Sequence, residues 1–322
     1  MKRYIFLLGA IVLVSLILSS CAMNVFKGLN TPANIETLSQ LAVDESNNGN
    51  FKDALSSSAQ VLSTVSNSTI PSTNLYNAVA LSDASTSART TLASVTYFLN
   101  TTKSTSVALK NAAEAMLNSI NGMMGLNAMT LANNFISLYR QSQNVSVSSV
   151  STVDYALVFS AIKLLVSSSH NLQLMQLLEA LSSTLNRFDS SNSAWLVSKG
   201  IYAALQIPII LFDSNENGML DPQDQIFTYL WNYQTNTFKS QLTSADYNGI
   251  MNVQLQTYNN IQKSNEVIAD LSTALTNLDT GLPSGNTLKN YITELEMAMY
   301  LVNAQTISQI RCLGDIQNYI SL

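Results

Sequence analysis

The chain has 322 residues, with 15 Lys and Arg against 20 Asp and Glu, a formal net charge of −5, one His and two Cys. Charged residues make up 11%, against roughly 25% in an ordinary soluble domain, so the solvated faces must be built from Ser, Thr, Asn and Gln. The absence of any Lys/Arg cluster argues against a nucleic-acid partner, because that affinity comes from cations that neutralise phosphates. A single His and so few thiols leave little that titrates near neutral pH, which argues against an enzyme.

In chain order, the first element is Lys2-Arg3, then an apolar run from Tyr4 to Leu18, then Ser19-Ser20-Cys21. A basic start, a short apolar stretch and small residues before a break have the form of a secretory signal. The run falls short of the roughly 20 apolar residues that span a bilayer. Leu18-Ser19-Ser20-Cys21 resembles the lipobox of bacterial lipoproteins. That resemblance implies cleavage after residue 20, lipidation of Cys21 and a membrane partner held through the lipid anchor, with the body in the cell envelope outside the cytoplasm. Residue 22 is Ala, and in the resembled family the lack of an aspartate there implies the outer membrane where there are two. Residues 21–32 then read as a lipidated tether, and residues 33–322 as an all-helical domain. With Cys21 lipidated, Cys312 is left without a disulfide partner and reads as a buried apolar residue on a helical stripe.

Apolar positions recur at spacings of three and four almost to the end of the chain, which predicts an all-α fold, either an array of helical hairpins or a multi-helix bundle. Two helices run from Ile35 to Glu45 and from Phe51 to Val65, with Gly49 available for a left-handed turn between them. Further helices are expected near 74–99, 104–121, 126–143, 150–167, 170–188, 192–211, 222–239, 243–279 and 284–313, with 144–150 as the best candidate strand. Gly49, Phe51, Ala54, Leu55, Ala59 and Leu62 resemble the pattern of a tetratricopeptide repeat. That resemblance implies stacked helical hairpins and a concave surface for a protein or peptide partner. Pro71 comes later than the family's pattern places its proline, and no second copy follows at a period of 34.

The most chemically specific stretch is Asp213-Ser-Asn215-Glu-Asn217-Gly218-Met219-Leu220-Asp221-Pro-Gln-Asp224. It resembles the calcium loop of EF-hands, particularly the dockerin-type variants that end in aspartate. Calcium takes six to eight hard oxygen ligands, which a twelve-residue loop supplies from positions 1, 3, 5, 7, 9 and 12. The resemblance implies Asp213, Asn215, Asn217, the Met219 carbonyl, Asp221 and Asp224 as ligands, Gly218 at the sharp turn and Leu220 as the apolar tuck. Pro222 suits the first turn of an exiting helix, with Asp221 as its cap. Asp224 in place of glutamate and Gln225 after it depart from the usual pattern, which points to modest affinity and a structural ion.

His170 reads as a surface or capping residue, and Met116, Met123, Met124, Met129, Met297 and Met299 as core filler. Phe227, Tyr229, Trp231, Tyr233 and Phe238 read as packing of the helix that leaves the calcium-like loop, with a ligand groove as the alternative. The expectation is a lipid-anchored, non-enzymatic helical scaffold with one calcium ion. A small-molecule-binding lipoprotein, such as a transporter accessory subunit, and an envelope hydrolase remain alternatives.

Overall fold

The computed structural model describes residues 34–66, 72–80, 86–128, 130–134, 137–138, 155–169, 171–285, 289, 292–293, 296 and 302–316. The lipobox, the tether, His170, the 144–150 segment, Met129, Met297 and Met299 lie outside them. The fold is all-α, with one two-stranded hairpin among the described residues.

Helix α1 (Ile35–Asn47) starts at Asn34, whose side chain accepts the Glu36 N–H at 3.2 Å. It ends where Gly49 takes φ +76°. The Gly49 N–H then donates to Ser46 C=O at 3.0 Å and the Asn50 N–H to Glu45 C=O at 2.8 Å. These two bonds close the terminal carbonyls and need the left-handed residue that glycine supplies without steric cost. Helix α2 (Phe51–Ser66) folds back on α1, and α3 (Ser72–Ala80) and α4 (Thr86–Thr101) follow in turn. Helix α5 (Val107–Met124), capped by Ser106 and ended by Gly125 in the left-handed region, lies against both α1 and α2. Small hydroxyl residues make this seam close: Ser46 and Ser119 bond at 3.0 Å, and Asn111 Nδ2 donates to Ser39 Oγ at 3.2 Å.

Helix α6 (Tyr155–Ser168) precedes α7 (Leu172–Phe188), which packs on α4 and α5. Helix α8 (Ser193–Phe212) is the centre of the molecule, running between α7 and α11 (Ile261–Gly281). Its length and hydropathy would let it cross a membrane. Here most of it is buried in protein, and it carries the buried polar Gln206, as the core helix of a folded body does. One hydrophobic core runs from Leu55 through α5, α7 and α8 to Ile292. A second gathers Phe159, Phe212, Ile226, Phe227, Leu230 and Ile250, and Leu220 packs against both.

Four expected elements differ, one of them the span 284–313, which is not helical at 284–285, 302–303 and 310–312. The span 222–239 holds only a short helix, α9 (Phe227–Leu230), followed by a hairpin of β1 (Trp231–Asn232) and β2 (Thr237–Phe238). Asn236 at φ +52° turns the chain there, and Trp231 stacks edge-on against Phe238 at 5.0 Å. The expected helix 243–279 is two, α10 (Ser244–Met251) and α11. Backbone N–H groups between them leave the helical ladder for distant carbonyls, Leu255 to Arg311 at 2.8 Å, Gln256 to Leu211 at 2.9 Å and Asn259 to Ser308 at 2.8 Å. The span 74–99 contains α3 and α4 as separate helices. Cys312 is buried, as expected, but it sits on a bridge with Gln254, between α12 (Ala304–Gln309) and a 3₁₀ turn (Leu313–Ile316), and not on a helical stripe.

Candidate metal-binding loop

The loop begins where α8 ends. Asp213 closes that helix, its N–H donating to Ile209 C=O at 2.9 Å, and its carboxylate turns forward into residues 214–224. Oδ1 accepts the Asn217 N–H at 3.1 Å and Oδ2 the Gly218 N–H at 2.7 Å. Asn215 Oδ1 accepts the same Asn217 N–H at 3.0 Å, Asn217 Oδ1 accepts Met219 N–H at 2.9 Å, and Asp221 Oδ1 accepts Gln223 N–H at 2.7 Å. Each of these three is a side chain bonded to the backbone two residues on, the local turn that Asn and Asp favour. Successive oxygens therefore follow the loop at alternate residues. Glu216 at φ +57° and Gly218 at φ +81° supply the bends between them.

Asp224 closes the loop from the far end. Its Oδ1 accepts the N–H of Ser214 at 2.7 Å and of Asn215 at 3.3 Å, and its Oδ2 accepts Asp221 N–H at 2.9 Å. Asp213 and Asp224 are buried, at 7% and 1% exposure, whereas Asn215 is exposed and Asn217 and Asp221 half-buried. Burial raises the Asp213 pKa; the Gly218 N–H opposes this, and the neighbouring Asp224 charge adds to it. Among the described residues no ion pair reaches Asp213, Asp221 or Asp224. Asp221 Oδ2 instead accepts Asn217 Nδ2 at 2.7 Å. No three His, Cys, Asp or Glu side chains converge as a metal cluster among the described residues. The other oxygens at the expected ligand positions belong to two Asn amides and the Met219 carbonyl.

The exit differs from the expected helix. Residues 221–226 form turns before α9, and Pro222 C=O accepts the Tyr233 hydroxyl at 2.8 Å. Exposed Gln225 leaves the core position to Ile226, which is 1% exposed. Of the aromatics beyond, Phe227, Trp231 and Phe238 pack on one another, with Phe227 and Trp231 at 5.8 Å and Lys163 over Phe238 at 5.6 Å. Tyr229 lies against Gly249, and Tyr233 is exposed.

Sequence reasoning missed what holds the loop from outside. Arg89 of α4 donates from Nη1 to Asn217 C=O at 2.6 Å, Lys263 of α11 pairs with Glu216 at 3.1 Å, and the Leu172 N–H at the start of α7 donates to Gly218 C=O at 2.9 Å. No local pattern marks these partners, because they come from distant parts of the chain. Comparison with protein-family models, curated proteins and solved structures returned no match for this chain.

Proposed function

We propose that this chain is a lipid-anchored, extracytoplasmic helical scaffold, non-enzymatic, which presents its body to a protein or peptide partner and binds one structural calcium ion at residues 213–224. The observation that carries the reading is the row of oxygens at alternate residues, closed by two buried carboxylates that make no ion pair among the described residues. Asp213, Asn215, Asn217, Asp221, Asp224 and the Met219 carbonyl would hold the ion. The donor set fits a hard cation that prefers carboxylate, amide and carbonyl oxygens to nitrogen or sulfur. Calcium would supply the positive charge that two buried carboxylates call for. Four helices meet at this loop, since α8 enters it and Arg89, Leu172 and Lys263 grip it. Clamping it therefore fixes how α4, α7, α8 and α11 sit together. The anchor rests on the lipobox-like Leu18-Ser19-Ser20-Cys21.

The test is thermal unfolding of the full-length chain in detergent, in calcium and then in chelator, for the natural sequence and for Asp213→Ala. An ion that binds only the native state adds about 2.7 kcal/mol at a hundredfold excess over Kd. The expected result is a calcium-dependent rise in Tm that magnesium does not reproduce and Asp213→Ala lacks. Equal melting in millimolar calcium and in chelator removes the calcium assignment.

A further inference from the structure

A cleft of about 510 Å³ opens between the C-terminal end of α5 and the first turns of α8. Asn118, Asn121 and Asn127 line it with Trp195 and Ser198, and no charged side chain does so among the described residues. Gly122 also lines it, and the ring of Phe51 from α2 comes up against that glycine and leaves no room for a Cβ.

The asparagines are oriented by their surroundings. Tyr202 is fully buried, and its hydroxyl bonds to Asn121 Oδ1 at 2.9 Å. The Thr130 N–H bonds to Asn127 Oδ1 at 2.9 Å. Each amide oxygen is held by one of these bonds, and the amide nitrogen of each residue carries two N–H donors that a ligand could use. Half-buried Trp195, packed on the core, adds a flat apolar wall, and Ser198 a hydroxyl. We propose that this cleft is a binding site for a neutral carbohydrate, whose C–H face lies on the Trp195 indole and whose hydroxyls accept from the Asn121 and Asn127 amides.

Other ligand classes fit less well. Among the described residues no cation lines the cleft to hold an anionic group, and no carboxylate to hold a cationic one. An extended peptide pairs through unbonded backbone groups, but the Asn121 carbonyl at this rim already accepts the N–H groups of Gly125 and Leu126. The cleft lies roughly 27 Å along α8 from Asp213, at 1.5 Å per residue, so the inference is independent of the calcium loop.

Trp195 and Trp231 are the two tryptophans, so Trp231→Phe leaves Trp195 as the only indole reporter. Full-length Trp231→Phe in detergent would be titrated with maltohexaose, cellohexaose and chitotetraose while its emission is followed, and binding would be repeated by calorimetry. At least one of these sugars is expected to give a saturable change at low-millimolar concentration or below. Asn121→Asp keeps an oxygen for Tyr202 and removes both N–H donors, so it should weaken binding by at least tenfold, about 1.4 kcal/mol, with its fold intact by circular dichroism. Trp195→Ala should abolish the heat of binding. No saturable response to any of the three sugars overturns the proposal, as does undiminished binding in both Asn121→Asp and Trp195→Ala. Asn121-dependent binding of a peptide or an anionic polymer in place of sugar also overturns it.

Discussion

Asp270 shows how one residue can set a pH response. It lies on α11 within electrostatic reach of Glu179 on α7 and of Glu266 one turn earlier. Burial first, and then those two charges, push its carboxyl up to about 7 from 3.8. Burial also raises the pKa of Glu179, against the pull of Gln206, which donates to it at 2.7 Å, and of Lys199. A raised acid pKa means that the folded state holds a proton the unfolded chain has already released. Stability from this site is therefore greatest below about pH 4, falls as pH rises towards 7, and stays lowered above it. Asp270→Asn should raise Tm at pH 8 and leave it nearly unchanged at pH 4. The gain is bounded at about 4 kcal/mol by the size of the displacement and is smaller because the carboxyl remains partly exposed. Equal Tm for variant and natural chain at pH 8 would show that Asp270 costs nothing when ionised. The sequence around Asp270 shows only the like charge of Glu266 one turn earlier; its burial and its neighbour Glu179 on another helix are not signalled.

At the scale of elements, the low charge of the chain has a visible consequence. Helix α4 carries Thr90, Thr91, Ser94, Thr96 and Thr101, and each hydroxyl bonds to the carbonyl four residues back, at 2.8 to 2.9 Å. Hydroxyl residues thus satisfy themselves on their own helix and need no ion pairs. Close helix contact replaces charge pairing elsewhere, as where α8 meets α11. A Cβ added at Gly200 would come within 2.8 Å of Leu278 Cγ and 3.0 Å of Ala274 C=O. Gly200→Ala gains helix propensity of up to about 1 kcal/mol, but overpacking of this kind costs typically about 1–3 kcal/mol. A net loss of stability in denaturant titration is expected, with Gly200→Val worse; a stabilised Gly200→Ala would mean that α11 can move away freely. Helix existence was legible from apolar spacing, as at α1, α2, α7 and α8. The break at 252–260 was not, because Leu255, Gln256 and Asn259 take carbonyls that only the folded chain brings near.

For the whole molecule, the proposed lipid anchor can be tested apart from the folded body. Cys21→Ser should move the protein from the membrane fraction to the soluble one while leaving the Tm of the body unchanged. A variant that stays in the membrane fraction would show that the apolar run, and not a lipid, holds it. Two acyl chains suffice for durable anchoring, whereas a single chain is marginal. Within the body, the α1–α2 hairpin was readable from Gly49 and the apolar pattern around it, since a left-handed turn and a 3.6-residue period are local properties. That α5 covers this hairpin was not readable, because shape-matched Ser39, Ser46, Ser119 and Asn111 recognise one another only once adjacent. The order of residues alone determined the all-helical class and the oxygen spacing of 213–224, because backbone periodicity and loop geometry act over a few residues. The tertiary structure alone decided that Arg89, Leu172 and Lys263 grip that loop, that Tyr202 bonds Asn121, and that Glu179 lies within electrostatic reach of Asp270. Contacts between distant residues arise from burial of a common core, which fixes positions that no local pattern encodes.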